Sequence, residues 1–178
     1  MTVCKIRLLE SADITPIAAA FAAFAALGWD KPASQYEKYL SEQEAGQRVV
    51  LVAHAGVQNP PILEFAGYVT ICWHSHYPPF HEQDIPEIVD FNVLPKFRRQ
   101  GIGAALMDEA ERRAAARSAI VGLGVGMTAD YGSAQRMYAK RGYIPDGRGL
   151  YSRGQPVQYG QSVPVDDDLV LYFTKSLA

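Results

Sequence analysis

The chain has 178 residues, 48% of them hydrophobic and 20% charged, with a formal net charge of −2. That length suits one domain, and the composition is that of an ordinary globular protein. The mild acidity offers no basic surface for nucleic acid or an anionic membrane.

Val3 to Leu9 reads as a first strand, and the leading MTVCKIRLLE lacks the apolar core of a secretory leader. A helix follows, capped by Ser11 or Asp13, with Pro16 tolerated in its first turn. Ile17, Phe21, Phe24 and Leu27 form its apolar stripe and Gly28 its stop. This alanine-rich run is shorter than the roughly 20 residues that a bilayer requires. A second helix is expected from Ser34, where Ser34 to Glu37 spell a capping box, to a stop at Gly46. Arg48 to Ala55 is a buried strand, Val57 to Pro61 a turn, and Phe65 to Trp73 a third strand antiparallel to the second.

Residues 74–86 form a loop rich in aromatics, prolines and histidines, and Ile88 to Val93 is a fourth strand closed by Pro95. Gly101 to Arg117 is a third helix. Ile102, Leu106, Ala110 and Ala114 line one side of it, and the pairs Asp108–Arg112 and Glu109–Arg113 the other. Ala119 to Met127 is a fifth strand, Ser133 to Arg141 a fourth helix ended by Gly142, and Tyr143 to Leu150 a short sixth segment. Leu169 to Thr174 is the last strand, after a Gly/Pro/Gln-rich loop at 152–165. Neither a repeat nor a linker interrupts residues 1–178. The order β-α-α-β-β-β-α-β-α-β-β predicts an α/β domain, a mixed sheet covered by helices on both sides. Cys4 and Cys72 both fall in apolar strand-like runs, which predicts a buried, reduced pair and a cytoplasmic setting.

The segment LPKFRRQGIGAALMDEAERR puts two arginines and a Gly-Ile-Gly at a helix entrance. A helix start has unpaired backbone N–H groups and a partial positive charge, and glycines admit a phosphate close to the backbone. Arg98 or Arg99 would add charge at the rim. On these residues alone, a diphosphate cradle and a tight strand-to-helix turn with solvated arginines stand side by side.

The block VLPKFRRQGIGAALMDEAE resembles the coenzyme A loop of the GNAT superfamily of N-acetyltransferases. Its pattern, Arg/Gln-x-x-Gly-x-Gly/Ala, is matched by Arg98, Gly101 and Gly103. A second block, YGSAQRMYAKRGY, is similar to that family's Asn-x-x-Ala-x-x-Leu-Tyr-x-x-x-Gly-Phe through Ala134, Met137, Tyr138, Gly142 and Tyr143, with Tyr131 where asparagine is usual. The resemblance implies a mostly antiparallel central sheet of six to seven strands flanked by about four helices. It also implies acetyl-CoA as the cofactor. Arg98, Arg99, Gln100, Gly101, Ile102, Gly103 and Ala104 would hold its diphosphate, and Phe91, Asn92 and Val93 would pair with the pantetheine arm. Many members pair as homodimers, an assembly the resemblance leaves open.

Gly122, Gly124 and Gly126 are spaced Gly-x-Gly-x-Gly within a strand, not as a dinucleotide fingerprint after one. Alternation puts all three on one face, where a helix or the pantetheine can approach closely.

Acetyl transfer needs a deprotonated amine, a polarised thioester carbonyl and a protonated leaving thiolate. By resemblance Tyr138 is the candidate donor to the departing sulfur, the alternative being a tyrosine packed between helix and sheet. The resemblance also favours Glu87 as base, since it lies eleven residues before Arg98, where the histone-acetylating branch of that family carries its general base; Asp90 or a water is the other option. The two carboxylates have opposite parity along a regular strand, which a bulge between them would change. A backbone N–H near Val93 or Leu94 would serve the oxyanion. His74, His76 and His81, without cysteine or a tight motif, read as a polar loop and not as a metal site. Trp73, His76, Tyr77 and Phe80, with Asp90, are expected around the acceptor, and Asp166 to Asp168 form a solvated strand entrance. The reading is an N-acetyltransferase acting on an amine of a small molecule or peptide, with no nucleic-acid or membrane partner. A non-catalytic acyl-CoA sensor of the same fold is the alternative.

Overall fold

The computed structural model describes residues 2–22, 31–58 and 61–177. They form five helices and eight strands in a mostly antiparallel sheet, one strand more than six to seven. The chain divides into two compact units, Met1–Cys72 with Asp90–Arg112, and Trp73–Val89 with Arg113–Ala178.

The first unit holds β1 (Thr2–Leu8), α1 (Ile14–Ala22), α2 (Ala33–Glu44), β2 (Arg48–Gln58) and β3 (Pro61–Cys72). β1 runs antiparallel to β2, from Thr2 opposite Val57 to Leu8 opposite Leu51, and β2 antiparallel to β3 with a register shift at Ala53/His54. The β2–β3 ladder continues to Gln58 opposite Pro61, so Val57, Gln58 and Pro61 are strand and not turn; Asn59 and Pro60 lie outside the described residues. So do Phe24, Leu27 and Gly28, but Ile17 and Phe21 of the same stripe are buried. Phe21 meets Tyr68 edge-on at 5.8 Å, and Tyr68 meets Tyr36 edge-on at 5.5 Å. Packing of this kind is worth about 0.5–1.5 kcal/mol per pair beyond area burial.

α2 begins one residue before Ser34, with Pro32 as its cap and no side-chain capping bond. Pro32 is extended (φ −67°, ψ 157°) and its carbonyl receives the Gln35 N–H at 3.0 Å, so Ser34 falls inside the first turn. The helix ends as expected at Gly46 (φ 72°), with Gln47 N–H bonded to Glu42 O at 2.9 Å in a Schellman arrangement.

The second unit contains α3 (Pro78–His81), β5 (Ile120–Gly126), α5 (Gly132–Lys140), β6 (Ile144–Ser152), β7 (Gln155–Pro156) and β8 (Leu169–Ser176). β4 (Glu87–Val93) and α4 (Ile102–Ala115) are the two elements whose chain runs through both units. The expected 74–86 loop contains α3, whose first residue is a proline at a position needing no N–H. The 152–165 loop contains β7, joined to β6 by Arg153 and Gly154 at φ 52° and 74°, the two left-handed residues of a tight hairpin turn. Arg153 also lies 3.5 Å from Asp166 and 3.9 Å from Asp168, exposed pairs of small energetic weight. On α4, Arg112 is bidentate to Glu109 at 2.8 Å, one helical step closer than either predicted pair.

Both cysteines are free thiols, but Cys4 is exposed and Cys72 half-buried. Cys4 lies on β1, an edge strand of the sheet, and Cys72 is the last residue of β3, so the expected burial of both does not hold. Among the described residues no helix is long and apolar enough to cross a membrane.

Candidate active site

In the first unit, β4 leads into a short 3-10 turn, Pro95–Phe97, and then into α4. Arg98 is extended, and its Nε donates to Val93 O at 3.0 Å, which ties the loop back to the end of β4. Gln100 Nε2 donates to Lys96 O at 2.9 Å. Arg99 (φ 61°) and Gly101 (φ 83°) are left-handed, and the chain turns through them into the helix. Ala105 N–H reaches Gly101 O at 2.9 Å as the first helical bond of α4. The amides of Ile102, Gly103 and Ala104 therefore precede it and carry the positive end of the helix. Arg98, Arg99, Gln100, Gly101 and Ala104 are exposed, and a methyl group on Gly101 would meet nothing within 4 Å. Ile102 is buried and anchors the turn. At Gly103 a methyl would instead lie close to a side chain, 3.2 Å from Phe91 Cζ.

Phe91, Asn92 and Val93 are half-buried, and Leu94 N–H is given to Ala66 O at 2.9 Å. Of the two amides proposed for an oxyanion, Leu94's is thus committed to β3. Asp90 has φ 50°, a left-handed residue inside β4. Its Oδ1 accepts from Lys31 Nζ at 2.6 Å and Asn92 Nδ2 at 2.9 Å. Its Oδ2 accepts from Tyr68 Oη (2.6 Å), Gln35 Nε2 (2.9 Å) and Tyr39 Oη (3.0 Å). Among the described residues five donors thus converge on a carboxylate with about four lone-pair sites, so its oxygens are already engaged. Burial, then the Asp90 charge, holds the Tyr39 and Tyr68 phenols well above their usual range, so both remain donors.

In the second unit, Glu87 is buried and opens a parallel ladder of two pairs, Glu87 with Gly122 and Ile88 with Leu123. Ser75 Oγ donates to Glu87 Oε2 at 2.5 Å and accepts the Tyr77 N–H at 2.9 Å. Tyr77 and Phe80, expected beside the acceptor, are instead core residues, 3% and 1% exposed. Tyr77 stacks on Tyr172 at 3.5 Å, its hydroxyl donates to Asp146 Oδ2 at 2.7 Å, and Phe80 stands edge-on to it at 4.8 Å. Tyr172 is pushed up to about 12 by burial first, then by the charges of Glu87, Tyr151 and Asp146. His76 is exposed, and Trp73 is half-buried under the Arg117 guanidinium, 4.2 Å from its ring. His74 is exposed and stands 6.4 Å from the His81 ring. Among the described residues no three His, Cys, Asp or Glu side chains converge as a metal would need.

The close approaches at the β5 glycines are made by side chains of this unit, at Gly122 by Phe80 of the short helix α3. A methyl on Gly122 would fall 2.1 Å from Phe80, on Gly124 2.8 Å from Val170, and on Gly126 2.6 Å from Tyr131. Tyr131, in the place of the usual asparagine, thus lays its ring over Gly126. Tyr138, on α5, is 6% exposed and edge-on to Tyr143 at 5.8 Å. Burial, then the Tyr131 charge, raises its phenol far above the usual value, so it stays protonated across the working pH range.

The neighbours of these groups that the sequence did not single out are Ser75 beside Glu87 and Lys31, Gln35, Tyr39 and Tyr68 around Asp90. Gln35 and Tyr39 lie one helical turn apart on α2, which was the one available sequence signal.

The profile of the acetyltransferase (GNAT) family matches residues 19–143, more than half of the chain. No protein of the curated set matches it significantly in sequence. Among solved structures, a Salmonella typhimurium protein holding acetyl-CoA as its cofactor is 16% identical, with a TM-score of 0.66 over 98% of this chain and 94% of its own. The ribosomal-protein-alanine N-acetyltransferase of Brucella melitensis is 18% identical, with a TM-score of 0.67 over 97% and 99%. A chimera built on the spermidine N-acetyltransferase of Vibrio cholerae is 14% identical, with a TM-score of 0.66 over 98% and 95%. At these identities the structures speak for the fold, and the profile match speaks for descent: the chain belongs to the GNAT acetyltransferase family.

Proposed function

We propose that the protein is an acetyl-CoA-dependent N-acetyltransferase in which a primary amine, of a small molecule or peptide, attacks the thioester directly. The observation that supports this most is the exposed entrance of α4, where left-handed Gly101 leaves the amides of Ile102, Gly103 and Ala104 ahead of the first helical bond. The coenzyme diphosphate would rest there, with Arg98, Arg99 and Gln100 at the rim. The pantetheine amides would pair with the Phe91–Val93 backbone, which lies beyond the two-pair ladder that Glu87 and Ile88 make with β5.

An alkylammonium with a pKa near ~10 must lose a proton before it attacks. Glu87 is the base in this reading. Because it is buried, it would act through the Ser75 hydroxyl that it holds, or through a water. With Leu94 committed, the Val93 N–H would receive the oxyanion. A thiolate is a weaker base than a phenolate of raised pKa, so Tyr138 would hydrogen-bond the departing sulfur and not surrender its proton outright. Around the acceptor, Trp73 and His76 would form the accessible wall, with Tyr77 and Phe80 behind it.

Burial of both Glu87 and Tyr138 is the observation that favours the second reading, a non-catalytic acyl-CoA sensor. A thiol-release assay with acetyl-CoA and a panel of alkylamines, polyamines and peptides separates the two. The enzyme reading expects amine-dependent release. Tight acetyl-CoA binding with no release across the panel would convert the assignment to the sensor.

A further inference from the structure

The Asp90 carboxylate gathers donors from several parts of the first unit. Four of its five donors are neutral groups, Gln35 on α2, Tyr39 on α2, Tyr68 on β3 and Asn92 on β4, all on regular elements. The fifth, Lys31, is the cluster's charged donor, and it belongs to the irregular segment before α2. Its ammonium sits 2.6 Å from Asp90 Oδ1, 6.0 Å from the centre of the Phe21 ring and 5.8 Å from that of Tyr68. A carboxylate backed by two aromatic faces is a binding site for an alkylammonium, by charge-assisted hydrogen bonding and by attraction to the ring quadrupoles. The Lys31 and Asp90 side chains are 18% and 16% exposed, so the ion pair is desolvated enough to matter and still open at one side. Phe21 and Tyr68 are at most 1% exposed and cannot withdraw. Asp90 immediately precedes Phe91, the first residue of the segment assigned above to the pantetheine.

We propose that Asp90, Phe21 and Tyr68 form the recognition seat for the acceptor's alkylammonium group, held in the resting protein by Lys31 as an internal substitute that the acceptor displaces. The identification of the ligand as the acceptor rests on the acetyltransferase reading; the seat itself does not. Its chemistry selects a primary alkylammonium over a neutral alcohol. The neutral donors keep the carboxylate oriented while the cation is exchanged. Lys31 exchanges at low structural cost because it is part of no helix or strand.

The test uses the full chain carrying Lys31→Met, which keeps the apolar stem and removes the charge. Calorimetric titration with butylammonium should show binding at least about tenfold tighter than to the wild type, and butanol should not bind. Adding Asp90→Asn, which the left-handed backbone accepts, should abolish that binding. With alkylamine acceptors, Lys31→Met should lower the amine KM about tenfold and leave the acetyl-CoA KM unchanged, a split that a purely structural role would not produce. Lys31→Gln gives the same readout should the methionine variant melt early. Butylammonium binding that is no tighter in either Lys31 variant, or that survives Asp90→Asn, overturns the seat. If thiol release persists alongside that result, the seat alone has failed. A butylammonium seat with no thiol release for any amine overturns the acetyltransferase reading instead.

Discussion

Alanine at Gly101 and at Gly103 should have opposite effects, although the two glycines are two residues apart. At Gly101 the side chain would meet nothing within 4 Å, so the whole penalty is backbone: φ is 83°. The left-handed conformation costs an L-residue about 1–2 kcal/mol, and the reduced entropy of the unfolded chain returns about 0.4–1 kcal/mol. The net is about 0.5–1 kcal/mol of destabilisation, a fall in Tm of roughly 1–4 °C for a chain of this size. Gly103 is in the first turn of α4, and its methyl would meet Phe91 Cζ at 3.2 Å and Val93 Cγ2 at 3.7 Å. The gain in helix propensity is at most about 1 kcal/mol. Phe91 is only half-buried and can yield a few tenths of an ångström, so the outcome lies between no change and a Tm higher by about 2 °C. Scanning calorimetry of the two single variants measures both. A more stable Gly101→Ala, or a Gly103→Ala that loses more than about 4 °C, would refute this account of the turn.

Tyr138→Phe should lower kcat by at least about tenfold with little change in the acetyl-CoA KM; steady-state kinetics would reassign Tyr138 to packing if kcat were unchanged. Asp13 predicts a specific pH dependence. Burial raises its carboxyl, but the bidentate Arg7 pair, the Glu10 N–H and the Arg7 and His54 charges outweigh that and leave it below its usual value. A depressed carboxylate contributes stability above its unfolded pKa and loses it as pH falls through the folded value. The wild-type Tm should therefore decline below about pH 4, and Asp13→Asn should be less stable at neutral pH with a flatter acid limb. Parallel acid limbs would contradict the Arg7–Asp13 linkage.

The order of elements was readable because periodicity and punctuation agreed: Gly46 and Gly142 stop helices at φ 72° and 85°, and Pro95 ends β4. The loop preceding α4 was readable because the two glycines and the arginines lie together in the chain. Less was visible where the cause is tertiary. The β5 glycines make room for Phe80, Val170 and Tyr131, which come from distant parts of the sequence. Tyr77 and Phe80 have the composition of a pocket wall, and only packing against Tyr172 shows them to be core. The Asp90 cluster draws on Lys31, Gln35, Tyr39 and Tyr68, and beyond the one-turn spacing of Gln35 and Tyr39 no local pattern joins those positions. Asp90's φ of 50° left only a weak sequence signal, an aspartate inside a strand, since aspartate is depleted from strands and enriched among left-handed residues.

The most direct measurement is the affinity of acetyl-CoA for the wild type and for Gly101→Asp by isothermal titration. Aspartate tolerates the left-handed backbone at this position, and its side chain would stand in open space at the helix entrance. A carboxylate about 4 Å from a diphosphate costs roughly 4 kcal/mol near a protein surface, so binding should weaken about 100-fold or more. An unchanged affinity in a variant that still melts cooperatively would contradict the placement of the coenzyme on the α4 amides.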